Sequence, residues 1–431
     1  MTSSAGPKFT AMRDDRIGTV AVTISVWAWC ALLSFPMIAA DQDLTELAHA
    51  YTSSGAVLIA QIAGLALFLI AICLSRLARA PHPLGRLRFA QIAILTIFFL
   101  SLALQLHDEE SRTMIGILYT CIFLATALAL SVLWTMAPDD LTTCMTGAAV
   151  ILCSFGIAAI AVLGMPQGRS IGNIQPNLFA TPLLAGFIFS QFRPGLIGVA
   201  VRILCFAMVA LVSSRFAVLG CIAAFVLHEL TLKPLSLGKL PLLVVALIAG
   251  VAFWPQITAI LALDDPTRDL SSGFSGRDAY WEGSLAAITE HPFGIGFKRT
   301  IGDESGHNGY LKILLEFGII GGCLIIFCVG CILVMAGIDA IGRSGKDRQQ
   351  QRFACARFGG LVALAFGALF QPQLFNLGDA FGISLLFLLF RPRIRRKTSL
   401  APVRSGRFVS PLEGRHSRGT SAAPAPTPTA K

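Results

Sequence analysis

Apolar runs of roughly twenty residues follow one another along almost the entire chain, and a run of that length crosses the ~30 Å hydrocarbon core of a bilayer as a helix. The runs lie at 17–40, 55–74, 89–106, 114–136, 144–164, 177–192, 196–213, 216–231, 241–262, 310–336, 353–371 and 379–391. They predict an all-α integral membrane protein with about 12 transmembrane helices. Composition agrees: with 55% hydrophobic and 13% charged residues in 431, and a mean hydropathy of +0.72, a water-soluble fold would lack polar surface to cover itself. The first run begins after a basic leader, residues 1–16, and exceeds a signal-peptide core, so it reads as a retained span.

The formal net charge is +10, but the cations sit in short loops between apolar runs and not on a soluble face, which speaks for membrane orientation and against a nucleic-acid partner. One alternate set of loops carries Arg13 and Arg16, then Arg76, Arg79, Arg86 and Arg88, then Lys233 and Lys239, then Arg343, Lys346, Arg348 and Arg352. Those loops are expected in the cytoplasm. The cluster Arg391, Arg393, Arg395, Arg396 and Lys397 joins them, so both termini are expected to be cytoplasmic. The loop Ala137–Thr143 fits least, because it holds only acids.

The chain divides by this reading into a cytoplasmic N-terminus (1–16), a polytopic membrane domain (17–391) and a basic tail (392–431) rich in Ser, Pro, Ala and Arg. The tail is too poor in apolar residues to offset the entropy of ordering, and reads as a disordered segment able to touch anionic lipid. All 11 cysteines fall inside apolar runs, and the trio Cys323, Cys328 and Cys331 reads as small packing residues in a helix.

On the opposite, periplasmic side the expected topology leaves 41–54, 107–113, 165–176, 213–215, 263–309 and 372–378. The segment 263–309 is the longest, and a long polar insertion among minimal loops is where soluble chemistry belongs. Within it, Ser275 followed three residues on by Asp278 forms a capping-box-like helix start, and Tyr280, Trp281, Leu285 and Ile288 recur at helical spacing. The result is a short amphipathic helix, able to lie on the membrane or pack over the bundle and ended by His291-Pro292. Arg277 falls in its first turn, where it reads as a diphosphate clamp or as an arginine snorkelling to lipid headgroups. A glycine-rich turn then leads to His307-Asn308 at the mouth of the next apolar helix. His307 has two readings, an interfacial helix cap or a base for a sugar hydroxyl. Lys298 and Arg299 could add to a positive field for diphosphate, but they match no motif and read rather as a solvated charge pair; Lys312 and Glu316, four apart, can pair on one helix face.

Taken together, an Arg-initiated helix containing Trp, then H-P-x-G-x-G, then H-N-x-Y-L ending in E-x-G-x-x-G resembles the signature of the O-antigen ligase and surface-polysaccharide polymerase superfamily. The matching residues are Arg277, Trp281, Pro292, Gly294, Gly296, His307, Asn308, Tyr310, Leu311, Glu316, Gly318 and Gly321. Ser214-Arg215 and Pro176-Asn177 look like two further family pairs. The resemblance implies a bacterial inner-membrane glycosyltransferase, metal-independent, inverting and without a cofactor. Its donor would be an undecaprenyl-diphosphate-linked glycan and its acceptor a glycan or lipid A-core. By the same resemblance His307 is the catalytic candidate, Arg215 and Arg277 bind diphosphate, and Trp281, Asn308, Tyr310, Glu316 and Asn177 support them. Membrane lipids, a polysaccharide flippase and a chain-length regulator are the implied partners. The roughly thirty residues from Arg277 to His307 are compact beside the larger insertions of lipid A-core ligases, which tilts the reading toward a polymerase.

Two rival classes stay open. Asp41 and Asp43 directly follow the first span and could hold Mg²⁺ or Mn²⁺ for a metal-dependent transferase, although their short loop lacks room for framing helices. His291, Asp303, Glu304 and His307 match no recognised ligand spacing. A polyprenyl-linked glycan flippase would place ionisable residues in mid-membrane, where Arg202, Glu316 and Arg357 are the few candidates.

Overall fold

In the computed structural model the described parts of the apolar runs are largely helical. The structure describes residues 6–35, 55–77, 87–105, 111–166, 171–172, 174–233, 248, 251–260, 278–298, 308–342 and 347–393. In chain order the α-helices are α1 (Gly6–Ser34), α2 (Gly55–Ile72), α3 (Phe89–Gln105), α4 (Ser111–Leu133), α5 (Pro138–Leu163), α6 (Pro176–Ser190), α7 (Leu196–Leu211), α8 (Arg215–Leu232), α9 (Trp254–Ile260), α10 (Asp278–Glu290), α11 (Gly309–Ile341), α12 (Arg348–Gly367) and α13 (Ala380–Leu389). Among the described residues the only β pairing is a single bridge between Ile171 and Ile174.

Among the described residues, five helices are long and apolar enough to cross a membrane: Arg16–Ser34, Gly116–Leu133, Pro138–Leu163, Arg215–Leu232 and Gly309–Ile341. Shorter apolar helices, Ile59–Ser75, Phe89–Leu102, Pro176–Ser190, Leu196–Leu211 and Ala380–Leu389, accompany them. Large side chains such as Ile59, Phe89, Leu196 and Ile320 face outward, as the lipid-facing surface of a bundle requires.

Local chemistry accounts for several boundaries. Helix α5 opens with Pro138 at its first position and with Asp139 and Asp140 in its first turn, where proline lacks only an N–H that would be unpaired anyway and carboxylates meet the positive helix end. The acids of the expected loop Ala137–Thr143 are thus a helix start, and Asp139 also accepts from Gln349 Nε2 at 3.0 Å. Helices α8 and α12 approach closely: a Cβ on Gly359 would lie 2.5 Å from the carbonyl oxygen of Ala224.

The last element differs most from expectation. The run 379–391 was expected to span, but α13 has ten residues and rises only about 15 Å, half a bilayer core. Every one of its residues is buried. Its C-terminal carbonyls are taken up inside the protein: Phe387 accepts from Trp134 Nε1 at 2.8 Å, Leu388 from Arg357 Nε at 2.7 Å and Leu389 from Gln91 Nε2 at 2.6 Å. Arg357, 1% exposed, also lies 3.9 Å from Asp339, which pairs with Arg88. The cation serves a helix C-terminus and a partly buried ion pair. Ahead of α13, residues 371–379 form a non-helical strap in which Gln371, Leu374, Phe375, Leu377 and Asp379 are buried, so its backbone polar groups need partners within the protein.

Candidate functional site

The polar residues gather at one end of the bundle, where α6, α8 and α11 begin and α12 ends. Ser214 is the residue before α8, and its hydroxyl donates to Asn177 Oδ1 at 3.0 Å, joining the first turns of α6 and α8. Ser213 beside it has φ 50°, an uncommon backbone state for a residue other than glycine. Arg215 is the first residue of α8 and partly exposed, so its guanidinium adds to the positive end of a helix dipole. The Ser-Arg and Pro-Asn pairs, 37 residues apart, form one cluster.

A second cluster surrounds the start of α11. Asn308 caps the helix, its Oδ1 accepting from the N–H groups of Tyr310 at 2.9 Å and Leu311 at 3.3 Å. The Gly309 N–H donates to the Ala368 carbonyl at 2.7 Å, and the Tyr310 hydroxyl donates to the Ala365 carbonyl at 2.7 Å. Both bonds fasten α11 to the end of α12, so Tyr310 is a structural tie. His307, the residue before this cap, lies outside the described residues, as do Arg277, Arg299, Asp303, Glu304, Asp41 and Asp43.

The helix expected from Ser275 is described from Asp278 to Glu290. Its apolar stripe divides: Ser284, Ala287 and Ile288 are buried, while Tyr280 and Leu285 remain 46% and 50% exposed. Ile288 and Ala287 pack with Leu311, Leu314, Leu315 and Ile295, seating α10 on α11, and Trp281 is half-buried. The stripe packs over the bundle on one side and leaves an apolar edge on the other.

The glycine motifs explain how the turn after α10 is held. Helix α11 breaks at Gly318 (φ 73°, ψ 174°), which frees carbonyls one turn earlier. The turn fills them: Ile295 N–H donates to the Leu315 carbonyl at 2.9 Å, Gly296 N–H to the Glu316 carbonyl at 3.0 Å, and Ile319 N–H returns a bond to the Pro292 carbonyl at 2.9 Å. Glu316, 2% exposed, turns its carboxylate to the Lys298 N–H at 3.0 Å. It anchors this junction.

Lys298 is 8% exposed, which corrects its reading as half of a solvated pair. Its Nζ donates to Asn376 Oδ1 at 3.0 Å and stands 5.8 Å from the Tyr119 ring centroid. Asn376 Nδ2 in turn donates to Asp379 at 2.5 Å, and Asp379 caps α13 by accepting from the Gly382 N–H at 2.7 Å. Burial pushes the Asp379 carboxyl up to about 6, against the pull of the Gly382 bond, Lys298, Asn376 and Lys312. Phe297 and Phe375, each preceding one partner of the Lys298–Asn376 bond, enter one aromatic cluster with Phe98, Phe123 and Phe317. Sequence reasoning misread Lys298 and missed Asn376 and Asp379. The available signal was the density of polar residues in 371–379, a stretch read only as an external loop.

An all-helical, multi-pass membrane protein with helix starts and buried polar side chains gathered at one end is the class that this fold and site define. Residues 178–328 match the family model described as O-antigen ligase, which supports the O-antigen ligase and polymerase superfamily for this chain. That stretch contains Arg215, Arg277, Trp281, Lys298, His307, Asn308, Tyr310 and Glu316; Asn177 lies one residue before it and the strap beyond it. Among curated proteins, none matches the chain.

Proposed function

We propose that the protein is a glycosyltransferase of the bacterial inner membrane that moves a glycan from undecaprenyl diphosphate to an acceptor sugar at the periplasmic face, acting as a surface-polysaccharide polymerase. The observation that carries this reading is the joining of Asn177, Ser214 and Arg215 into one cluster at the end of the bundle where α11 starts, within or beside the O-antigen ligase match. Both termini are cytoplasmic in this reading, which puts the cluster outside. Lipid A-core ligation is the sister activity, and the compact segment between Arg277 and His307 favours polymerisation over it.

The chemistry asked of these residues is modest. The acceptor hydroxyl oxygen attacks the anomeric carbon, the bond from that carbon to the diphosphate oxygen breaks with inversion, and the hydroxyl proton passes to His307. Undecaprenyl diphosphate leaves with the electron pair. Arg215 and Arg277 stabilise it by charge and by the fork that matches phosphate oxygens. Diphosphate is already a competent leaving group, so fixed cations and an oriented acceptor suffice. Flippase and chain-length regulator partners would supply donor and set polymer length.

Reconstitution in vesicles with a lipid-linked oligosaccharide donor tests the reading. A ladder of extended glycans that persists in EDTA is the expected result. Donor that crosses the bilayer without extension would make the protein a flippase, and a Mg²⁺ or Mn²⁺ requirement abolished by Asp41→Asn and Asp43→Asn would shift the chemistry to that acidic pair.

A further inference from the structure

Resting on the transfer reading above, we propose that Lys298 is a positioning residue, whose ammonium holds the 371–379 strap as the floor beneath the helix start that follows His307. The strap closes a turn of its own, from the Asn376 N–H to the Gln373 carbonyl at 3.0 Å, but has no helix or sheet ladder, so its remaining polar groups must be satisfied from outside. Three elements do this: the Thr181 hydroxyl of α6 lies 3.4 Å from the Gln373 side-chain amide, Lys298 donates to Asn376, and Gln61 of α2 donates to the Gly378 carbonyl at 2.8 Å. Thr181 also donates to the Asn177 carbonyl at 2.7 Å, so the strap connects with the Asn177–Ser214 cluster. On its other side it carries α11: a Cβ on Gly309 would lie 2.8 Å from Leu374 Cβ and 3.0 Å from the Gln371 carbonyl oxygen.

Lys298 is fixed from both ends. Its backbone adopts φ 65°, which a non-glycine residue keeps only where its surroundings impose it; here the N–H bond to Glu316 and the pairing of the glycine turn with broken α11 do so. Its ammonium is enclosed by the Asn376 oxygen, the Tyr119 and Phe297 rings and the fields of Glu316 and Asp379. A cation so neutralised internally positions its neighbours and leaves diphosphate to the arginines. The charge-assisted bond is about twice as strong as a neutral one, and a displacement of ~1 Å at the acceptor base can cost about a hundredfold in rate.

The test measures transfer kinetics in vesicles together with undecaprenyl diphosphate binding. Lys298→Met should lower kcat ten- to a hundredfold (~10–10²) while the donor KM and the Kd for undecaprenyl diphosphate stay near wild type. Asn376→Leu should do the same, the double variant should be no slower than the slower single variant, and Lys298→Arg should recover most of the turnover. A raised Kd with preserved kcat would make Lys298 a diphosphate ligand and overturn the proposal, as would normal turnover or losses that multiply in the double variant. If neither single variant accumulates, the pair serves folding alone and the positioning role is lost. Wild-type protein that forms no glycan product would instead sink the transfer reading itself.

Discussion

Gly294 and Gly318 meet backbone to backbone across the junction of the glycine turn with α11. A Cβ on Gly294 would lie 2.4 Å from the Gly318 nitrogen, and one on Gly318 would lie 2.4 Å from the Phe293 carbonyl carbon. Both glycines have positive φ, 86° and 73°, so an alanine at either position meets strain and collision together. Gly294→Ala and Gly318→Ala should each destabilise the protein by more than about 2 kcal/mol. Gly330→Ala, on the same helix with nothing near its Cβ position, should stay within about 0.5 kcal/mol of wild type. Thermal unfolding in detergent distinguishes them, and equal midpoints for all three would show that the junction is not rigid.

The difference between what was legible and what was not follows from range. Helix positions such as 176–190, 196–211 and 215–232 are written locally in hydropathy, and proline and serine at their starts mark the ends. Asn177 and Ser214 were visible as motif residues, but their hydrogen bond was not. Lys298 looked solvated because it adjoins Arg299 in a polar loop, whereas its partner Asn376 is 78 residues away. Helix α13 looked like a span because hydropathy cannot separate an apolar helix facing lipid from one buried in protein. Only the donors from Trp134, Arg357 and Gln91 to its carbonyls reveal the second case.

The cap and the tie at the start of α11 predict a separation of stability from activity. Tyr310→Phe removes one hydroxyl bond to Ala365 and should cost about 1 kcal/mol with transfer nearly unchanged. Asn308→Ala removes the acceptor of two N–H groups, should cost about 1 to 2 kcal/mol, and should also slow transfer because it loosens the residue next to His307. Comparable turnover in the two variants would argue that the cap does not orient the histidine.

Asp379 should make stability depend on pH in a defined direction. Its carboxyl holds a proton up to about 6 in the folded protein, whereas in the unfolded chain it ionises near 3.9. Between those values the folded state binds more protons, so this contribution is full below the unfolded value and is lost as pH rises through about 6. Asp379→Asn keeps an oxygen to cap Gly382 and removes the titration. Its unfolding midpoint in detergent should therefore fall less than wild type between pH 4.5 and 7. Parallel curves for the two proteins would mean that Asp379 is not the group responsible.

The roles of the motif cations and His307 are separable because they act on different partners. If His307 takes the acceptor proton, His307→Ala should lower transfer by ~10²- to 10⁴-fold and leave binding of undecaprenyl diphosphate intact. Arg215→Ala and Arg277→Ala should weaken both. Arg215→Lys probes geometry at the first turn of α8, where the residue stands beside the Ser214–Asn177 bond: lysine keeps the charge but loses the two-pronged donor, so it too should bind diphosphate less tightly. Ser214→Ala, which leaves Arg215 in sequence but unties α8 from Asn177, should resemble a mild form of Arg215→Lys. Each variant is compared at equal membrane abundance, because an interfacial residue can also serve insertion. Normal polymer from both His307→Ala and Arg215→Ala at wild-type abundance would show that the chemistry lies elsewhere in the bundle, even with the family match over 178–328 unchanged.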